Sequence, residues 1–299
     1  MRARAKATGR PRLACEISAA RVVAARVAEA GGAVEMHTTR SLPAGAIKPS
    51  LTESNILDPA ALRSSLSEAL EALSGRSRDV IAVLPDASVR IVMLDFDSLP
   101  EKTEEALGVV RFRLRKTLPF DVDRAVVSYH AQPSADSIKV VAAVALANVL
   151  EEYEAAFVDS GFLPGMVLPS TLASLGNVHG GEATLVVKVS EDSTTVAIVD
   201  GDQLRLFRTL ERRTGNGDAG AVVEDVYPSL VFFQDTYSSS IERVLVAGQA
   251  SAETLVPHLA PYTSARVQEL VSEQQVSGGF SAVSAASSGL AGVVGALLG

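Results

Sequence analysis

The sequence predicts an α/β protein of two similar lobes facing each other across a cleft, and three observations carry that prediction. Segments 13–27 (LACEISAARVVAARV) and 185–199 (LVVKVSEDSTTVAIV) read as one device used twice: an apolar strand, a small polar turn and a second apolar strand. Glu16-Ile17-Ser18 falls on Lys188-Val189-Ser190. A repeat at this separation lies well beyond solenoid periods of about 20–50 residues, so it implies paired lobes and not a stacked array. The length of 299 residues suits two domains of roughly 150 each. The composition, 47% hydrophobic and 21% charged, supplies two cores.

Between the hairpins the elements follow in order. Asp58-Pro59 opens a helix as N-cap and first-turn proline, Leu62, Leu66, Leu70 and Leu73 form its apolar stripe, and Gly75 closes it. Residues 79–84 (DVIAVL) read as a short buried strand, and 88–94 (SVRIVML) alternate like a second. Ser98 is expected to cap a helix over about 100–116, with Leu107, Val110 and Leu114 on one side, stopping at Leu118-Pro119-Phe120. Residues 126–129 and 138–146 read as strands, the latter apolar enough to be buried on both faces. Asn148 is expected to cap a helix carrying Leu150, Tyr153 and Phe157, closed by Gly161. Beyond the second hairpin, 203–210 give a strand and 214–220 a loop. Residues 221–237 are helical in pattern, with a kink or break expected at Pro228, and 243–247 form a buried strand.

The ends and the charge balance narrow the function classes. A net charge of -8, no Trp and few aromatics argue against a general nucleic-acid binder. Cys15 lies inside an apolar strand, where it reads as a small core hydrophobe. The basic start, with Arg2, Arg4, Lys6, Arg10 and Arg12, has no apolar segment after it, which implies a cytoplasmic protein with a solvated tail and not a signal peptide. Contact of that tail with an acidic membrane face is the alternative. Residues 280–299 are long enough to span a bilayer, but their many serines and glycines predict a buried helix in close backbone packing. The four histidines, His37, His130, His179 and His258, lack ligand spacing. No G-x-S-x-G, G-x-x-x-x-G-K-S/T or G-x-G-x-x-G motif occurs. Glu104-Glu105 and Glu151-Glu152 sit in early helical turns and read as structural.

Three segments in this order carry a family resemblance. The run 109–120 (VVRFRLRKTLPF) leads into 121–130, Pro169-Ser170-Thr171-Leu172-Ala173 follows a strand, and Ser229-Leu230-Val231-Phe232-Phe233 precedes the strand at 243–247. They resemble the actin-like ATPase superfamily, and within it the PilM proteins of type IV pilus assembly and the related GspL cytoplasmic domains of type II secretion. The resemblance spans the chain from about Leu13 onward and rests on shared order more than on any single motif. It implies a ribonuclease H-like, two-lobed fold with mixed sheets. The division would be a basic tail over 1–12, a first lobe over 13–178 with an inserted subdomain at about 85–147, a second lobe over 179–279, and a C-terminal helix over 280–299 packing back on the first lobe.

In that superfamily the two hairpins cradle the phosphates of ATP, each typically reading Asp-Ile-Gly at its turn. Glycine lets backbone N–H groups approach phosphate, and the carboxylate positions a divalent metal through water. This chain departs at both turns. Glu16 stands for Asp and Ser18 for Gly; Lys188 replaces the second acid and Ser190 the second glycine, with Glu191 and Asp192 adding like charges. At the adenosine side Gly248 alone is kept of a usual pair. Two anionic groups beside a triphosphate would oppose it by up to ~4 kcal/mol each at an effective dielectric near 20. Glu16, Ser18, Lys188, Ser190 and Gly248 are thus expected to line a remnant nucleotide cleft, with no cofactor, or ATP and Mg if the cleft is competent. Lys188 has three readings: a point charge for phosphate, a salt bridge to Glu16 across a closed cleft, or a solvated hairpin residue like Glu16 itself.

The resemblance further implies a degenerate, non-catalytic scaffold of an inner-membrane assembly platform, peripheral to the membrane. Its partner would be a PilN-like protein whose short cytoplasmic N-terminal peptide enters a groove bordering the inserted subdomain. A homo-oligomer is compatible with this reading. Arg111, Phe112, Arg115 and Phe120 are the candidate partner-binding residues, and the solvated face of an amphipathic helix is the plain alternative for them. An active or slow ATPase resting on Glu16, and a sugar-kinase-like phosphotransferase, are the competing classes.

Overall fold

The computed structural model describes residues 9–28, 31–134, 137–212, 218–276 and 289–299. Strands β1 (Leu13–Ile17), β2 (Arg21–Val27), β3 (Val34–Ser41), β4 (Asp79–Leu84) and β8 (Leu163–Pro169) form one sheet in the order β3-β2-β1-β4-β8. Strands β9 (Thr184–Val189), β10 (Ser193–Asp200), β11 (Gln203–Glu211), β12 (Arg243–Gly248) and β13 (Arg266–Glu269) form a second, in the order β11-β10-β9-β12-β13. Each sheet is an antiparallel meander of three strands followed by two parallel ones. The duplication extends to the turns: Ser18 N–H donates to the Arg21 carbonyl at 2.9 Å, and Ser190 N–H to Ser193 at 2.8 Å.

A third, antiparallel sheet interrupts the first lobe. Its strands β5 (Arg90–Phe96), β6 (Ala125–Pro133) and β7 (Ile138–Leu146) lie in the order β5-β7-β6. One face of β7, with Val140, Ala142 and Val144, joins the first lobe's core, whereas Val141 on the other face is half-buried toward the second lobe.

Strand alternation sorts the side chains between layers. Leu13, Cys15 and Ile17 of β1 pack with helices α1 (Pro59–Glu71) and α3 (Ala147–Asp159), through Leu62, Leu66, Tyr153 and Phe157. Burial pushes the Cys15 thiol up in pKa, as suits a core residue. Leu185, Val187 and Val189 of β9 pack with helices α5 (Ala219–Tyr237) and α6 (Ala252–Leu259). The intervening residues face the space between the sheets, where Ala14, Val23 and Val186 share one apolar cluster with the C-terminal helix Ala291–Leu298. A Cβ on Gly295 of that helix would overlap the Ala173 carbonyl oxygen of helix α4 (Ser170–Ser174), and one on Gly176 would overlap the Gly295 carbonyl. The two segments therefore pack backbone on backbone, as the small-residue content led one to expect. The rest of the expected helix, 280–288, lies outside the described residues, as do residues 1–8 of the basic tail. Among the described residues no helix is long and apolar enough to cross a membrane.

Several local expectations change. Helix α2 (Thr103–Leu114) begins after Lys102, so Ser98 is not its cap. Helix α3 starts at Ala147, with Asn148 inside its first turn. Helix α5 runs without a break through Pro228; the proline is exposed, so water is at hand for the carbonyl whose N–H partner it removes. Asp58 does cap α1, accepting from Ala61 N–H at 3.0 Å. The sequence reading places no strand at β3 or β13, and gives β8 only as an unbounded strand before the Pro169–Ala173 motif. All three are edge strands, β3 and β13 largely polar, and β8 with prolines at 164 and 169, which an edge tolerates.

Candidate functional site

Because Leu13, Cys15 and Ile17 point outward, the period of two turns Glu16 inward; the same alternation on β9 turns Lys188 inward from the opposite lobe. The two meet. Lys188 Nζ donates to Glu16 Oε1 at 2.7 Å, and both residues are buried, at 4% and 8% exposure. Ser170, the first residue of α4, completes the contact: its hydroxyl donates to Glu16 Oε1 and accepts from Lys188 Nζ. The other carboxylate oxygen, Oε2, lies against Gly292 of the C-terminal helix, where a Cβ would overlap it. Of the three readings of Lys188, the structure carries the ion pair across a closed cleft.

A second buried carboxylate lies nearby. Asp86, in the turn after β4, accepts from the Thr171 backbone N–H at 2.8 Å and from the Thr171 hydroxyl. Burial raises its pKa; the Lys188 charge and hydrogen bonds from Thr171 and from Thr195 of the second lobe oppose the rise. The Lys188 ammonium thus faces two buried carboxylates, Glu16 and Asp86. Ser170, Asp86, Thr171 and Gly292 were not read as site members from sequence. They reach the pocket from three separate segments, and only the Pro169–Ala173 motif, noted as a family mark, hinted at two of them.

The remaining cleft residues close the mouth. Ser18 hydroxyl donates to Glu191 at 3.5 Å across the lobes. Gly248 adopts φ 88°, and a Cβ there would overlap the Val189 carbonyl, which also accepts from Gln249 N–H at 2.7 Å. Together with Ser190 and Arg21 these groups enclose about 20 Å³, room for one water. The residues present do not fit a nucleoside triphosphate with its metal. Among the described residues no group of three or more His, Cys, Asp or Glu is placed to hold a metal ion.

The two acids of the second turn point to different places. Glu191 borders the cleft, whereas Asp192 lines a separate groove of about 820 Å³. One wall of this groove is the 47–53 loop with Ala19; the other is residues 207–211 of β11, an edge strand, with Arg212 just beyond it; Arg90 and Ile91 bring in the inserted sheet and Pro119 the chain between its strands. Asn55 holds the loop. It is fully buried, its side-chain oxygen accepts from Ser50 N–H at 2.9 Å, Ser88 Oγ at 2.6 Å and Tyr153 OH at 3.1 Å, and its amide donates to the Ser50 and Glu53 carbonyls. Glu152 accepts the Asn55 backbone N–H at 2.8 Å, a structural use of that carboxylate.

The basic helix has local employment. Arg111 donates to the carbonyls of Val122 at 2.6 Å and Ala125 at 3.2 Å, and Arg115 pairs with Asp123 at 2.9 Å. Phe112 is exposed and Phe120 is half-buried against the first lobe's core. None of the four lines the groove, although Pro119 beside them does.

Two lobes with one repeated strand order, hairpin turns meeting across a cleft and a sheet inserted into the first lobe define an actin-like fold. Among solved structures, the chain is similar to one in the PilM-PilN type IV pilus biogenesis complex, with a TM-score of 0.76 and 19% identity over 96% of this chain and 98% of that one. It is similar also to the cytoplasmic domain of EpsL, an inner membrane component of the type II secretion system of Vibrio cholerae, with a TM-score of 0.51 and 12% identity over 79% and 81% of the two chains. The ethanolamine utilization protein EutJ from Carboxydothermus hydrogenoformans gives a TM-score of 0.52 and 11% identity over 96% and 89%. No family model and no curated protein sequence matches the chain. At these identities the likeness is one of fold.

Proposed function

We propose that this protein is a cytoplasmic, actin-like scaffold of a type IV pilus or related secretion platform, which receives a short peptide of a PilN-like inner-membrane partner and whose nucleotide cleft is degenerate. The observation that carries the reading is the contrast in capacity between the two inter-lobe spaces, about 20 Å³ at the cleft against about 820 Å³ at the groove. The groove has the makings of a peptide site. The edge strand β11 offers backbone groups for an added strand, Ile91, Pro119 and Phe207 give apolar footing, and Asp192, Arg90 and Arg212 supply polar anchors. The cleft, by contrast, already contains its cation, Lys188, bound to the carboxylate that would otherwise serve a metal.

The test is calorimetric titration of the purified protein with Mg-ATP and, separately, with a synthetic peptide spanning the cytoplasmic N-terminus of the candidate partner, at matched salt. Peptide binding without ATP binding is the expected result. Micromolar ATP binding would overturn the degenerate cleft, and absence of peptide binding would overturn the scaffold.

A further inference from the structure

Among the buried ties that cross between the lobes in the described residues, two lie on the same strand or hairpin as a wall of the groove. The first is Lys188 on Glu16, braced by Ser170. Glu16 belongs to the hairpin whose turn carries Ala19, and Lys188 to the hairpin whose turn carries Asp192, both of which line the groove. The second is Gln132 on β6 of the inserted sheet. Its side-chain amide donates to the Leu204 carbonyl at 3.2 Å, and its oxygen accepts from Leu204 N–H at 2.8 Å. That is the pairing a neighbouring strand would make, completed by a side chain 5% exposed. Leu204 is the second residue of β11, whose residues 207–211, with Arg212 just beyond it, form the groove's far wall. Neither Lys188 nor Gln132 lines the groove itself.

The apolar cluster between the sheets holds the lobes together without directing them, because hydrophobic attraction is non-directional. The ties supply direction, since each requires its atoms at hydrogen-bond distance. We infer that Lys188 and Gln132 are positioning residues of the groove, which hold the lobes closed in one register so that the peptide site stands assembled without nucleotide. This rests on reading the groove as the peptide site. A ligand-operated clamshell would have the nucleotide bring the walls together; here a lysine and a glutamine of the chain itself do so.

The test reads lobe spacing and affinity separately. Spin labels at Ala60→Cys on α1 and Gln234→Cys on α5, both exposed, report the distance between lobes by pulsed electron resonance, and the native Cys15 is buried beyond labelling. The parent is expected to show one narrow distance distribution, unchanged by Mg-ATP. The double variant Glu16→Gln/Lys188→Met removes the ion pair and the Glu16 charge together, leaving Asp86 on its hydrogen bonds from Thr171 and Thr195, and Gln132→Met removes the second tie. Combined, they are expected to broaden the distribution and to weaken the partner peptide at least ten-fold. Gln132→Glu, which keeps the acceptor for Leu204 N–H but loses the donor, should fall between. A parent distribution that is broad or narrows on adding Mg-ATP, a triple variant that stays narrow, or a triple variant that binds peptide as the parent does would each overturn the inference. A parent that binds no peptide would instead overturn the groove assignment, and the distance arm would still decide whether the ties set the lobes.

Discussion

Lys188→Met is the most informative single substitution, because it strands a carboxylate the fold has enclosed. At 2.7 Å the pair attracts by a gross ~6 kcal/mol at an effective dielectric near 20. Desolvation of the two ions consumes several kcal/mol each, so the intact pair is worth far less than its attraction. Removing one partner is a different matter. Among the described residues Glu16 then keeps only the Ser170 hydroxyl on Oε1, while Oε2 has no hydrogen-bond partner, and the expected loss of unfolding free energy is about 3–5 kcal/mol. Adding Glu16→Gln should recover most of it, since the second change removes the charge that the first exposed. Urea unfolding of the two single variants and the double closes a thermodynamic cycle in which the changes are strongly non-additive. Single losses below about 1 kcal/mol, the range of exposed pairs, or an additive cycle would refute the reasoning and return both residues to solvated hairpin positions.

Three further outcomes are expected. Gly295→Ala forces a Cβ onto the Ala173 carbonyl and should cost about 1–3 kcal/mol with faster hydrogen exchange over 291–298, whereas Gly108→Ala in α2, with open space at its Cβ, should be neutral or stabilising by up to about 1 kcal/mol; equal effects would contradict the backbone packing. Asp192 has its pKa raised by burial first, with Glu191 and Asp86 adding to the rise. Its contribution to stability is therefore complete below the ordinary carboxylate value of 3.8 and is lost as pH climbs through the raised value in the folded state. Asp192→Asn, which keeps an acceptor for Ser193, should gain stability at pH 7 and little at pH 3, and a variant less stable at pH 7 would count against this. Asn55→Ala leaves Ser50 N–H without its acceptor and the Ser88 and Tyr153 hydroxyls with only each other; thermal unfolding should register a loss of at least about 2 kcal/mol, together with weaker peptide binding as the 47–53 loop loosens.

How much of this was legible in the chain differs between strand and site. The two hairpins could be read because each is a local pattern, apolar runs about a polar turn, and their equivalence survives in matched turn hydrogen bonds. Strand β3, an edge strand of largely polar sequence, carries no comparable signal, since one face and half its backbone are left to water. Helix starts misled where serine or asparagine suggested a cap that the backbone took elsewhere, as at Ser98 and Asn148. The basic residues of α2 invited a docking role, yet Arg111 and Arg115 are engaged by a turn some ten residues on, a contact invisible to helical periodicity.

Glu16 and Lys188 show where the boundary falls. Sequence alone determined that they occupy equivalent places in a repeat and that neither is the residue a phosphate cradle wants. Tertiary structure alone decided that they lie in the strands and not the turns, that they touch, that Ser170 bridges them and that Gly292 packs against Glu16. A hairpin repeat is a local pattern, whereas the meeting of residues 172 positions apart depends on how two whole sheets are packed around one small-residue helix.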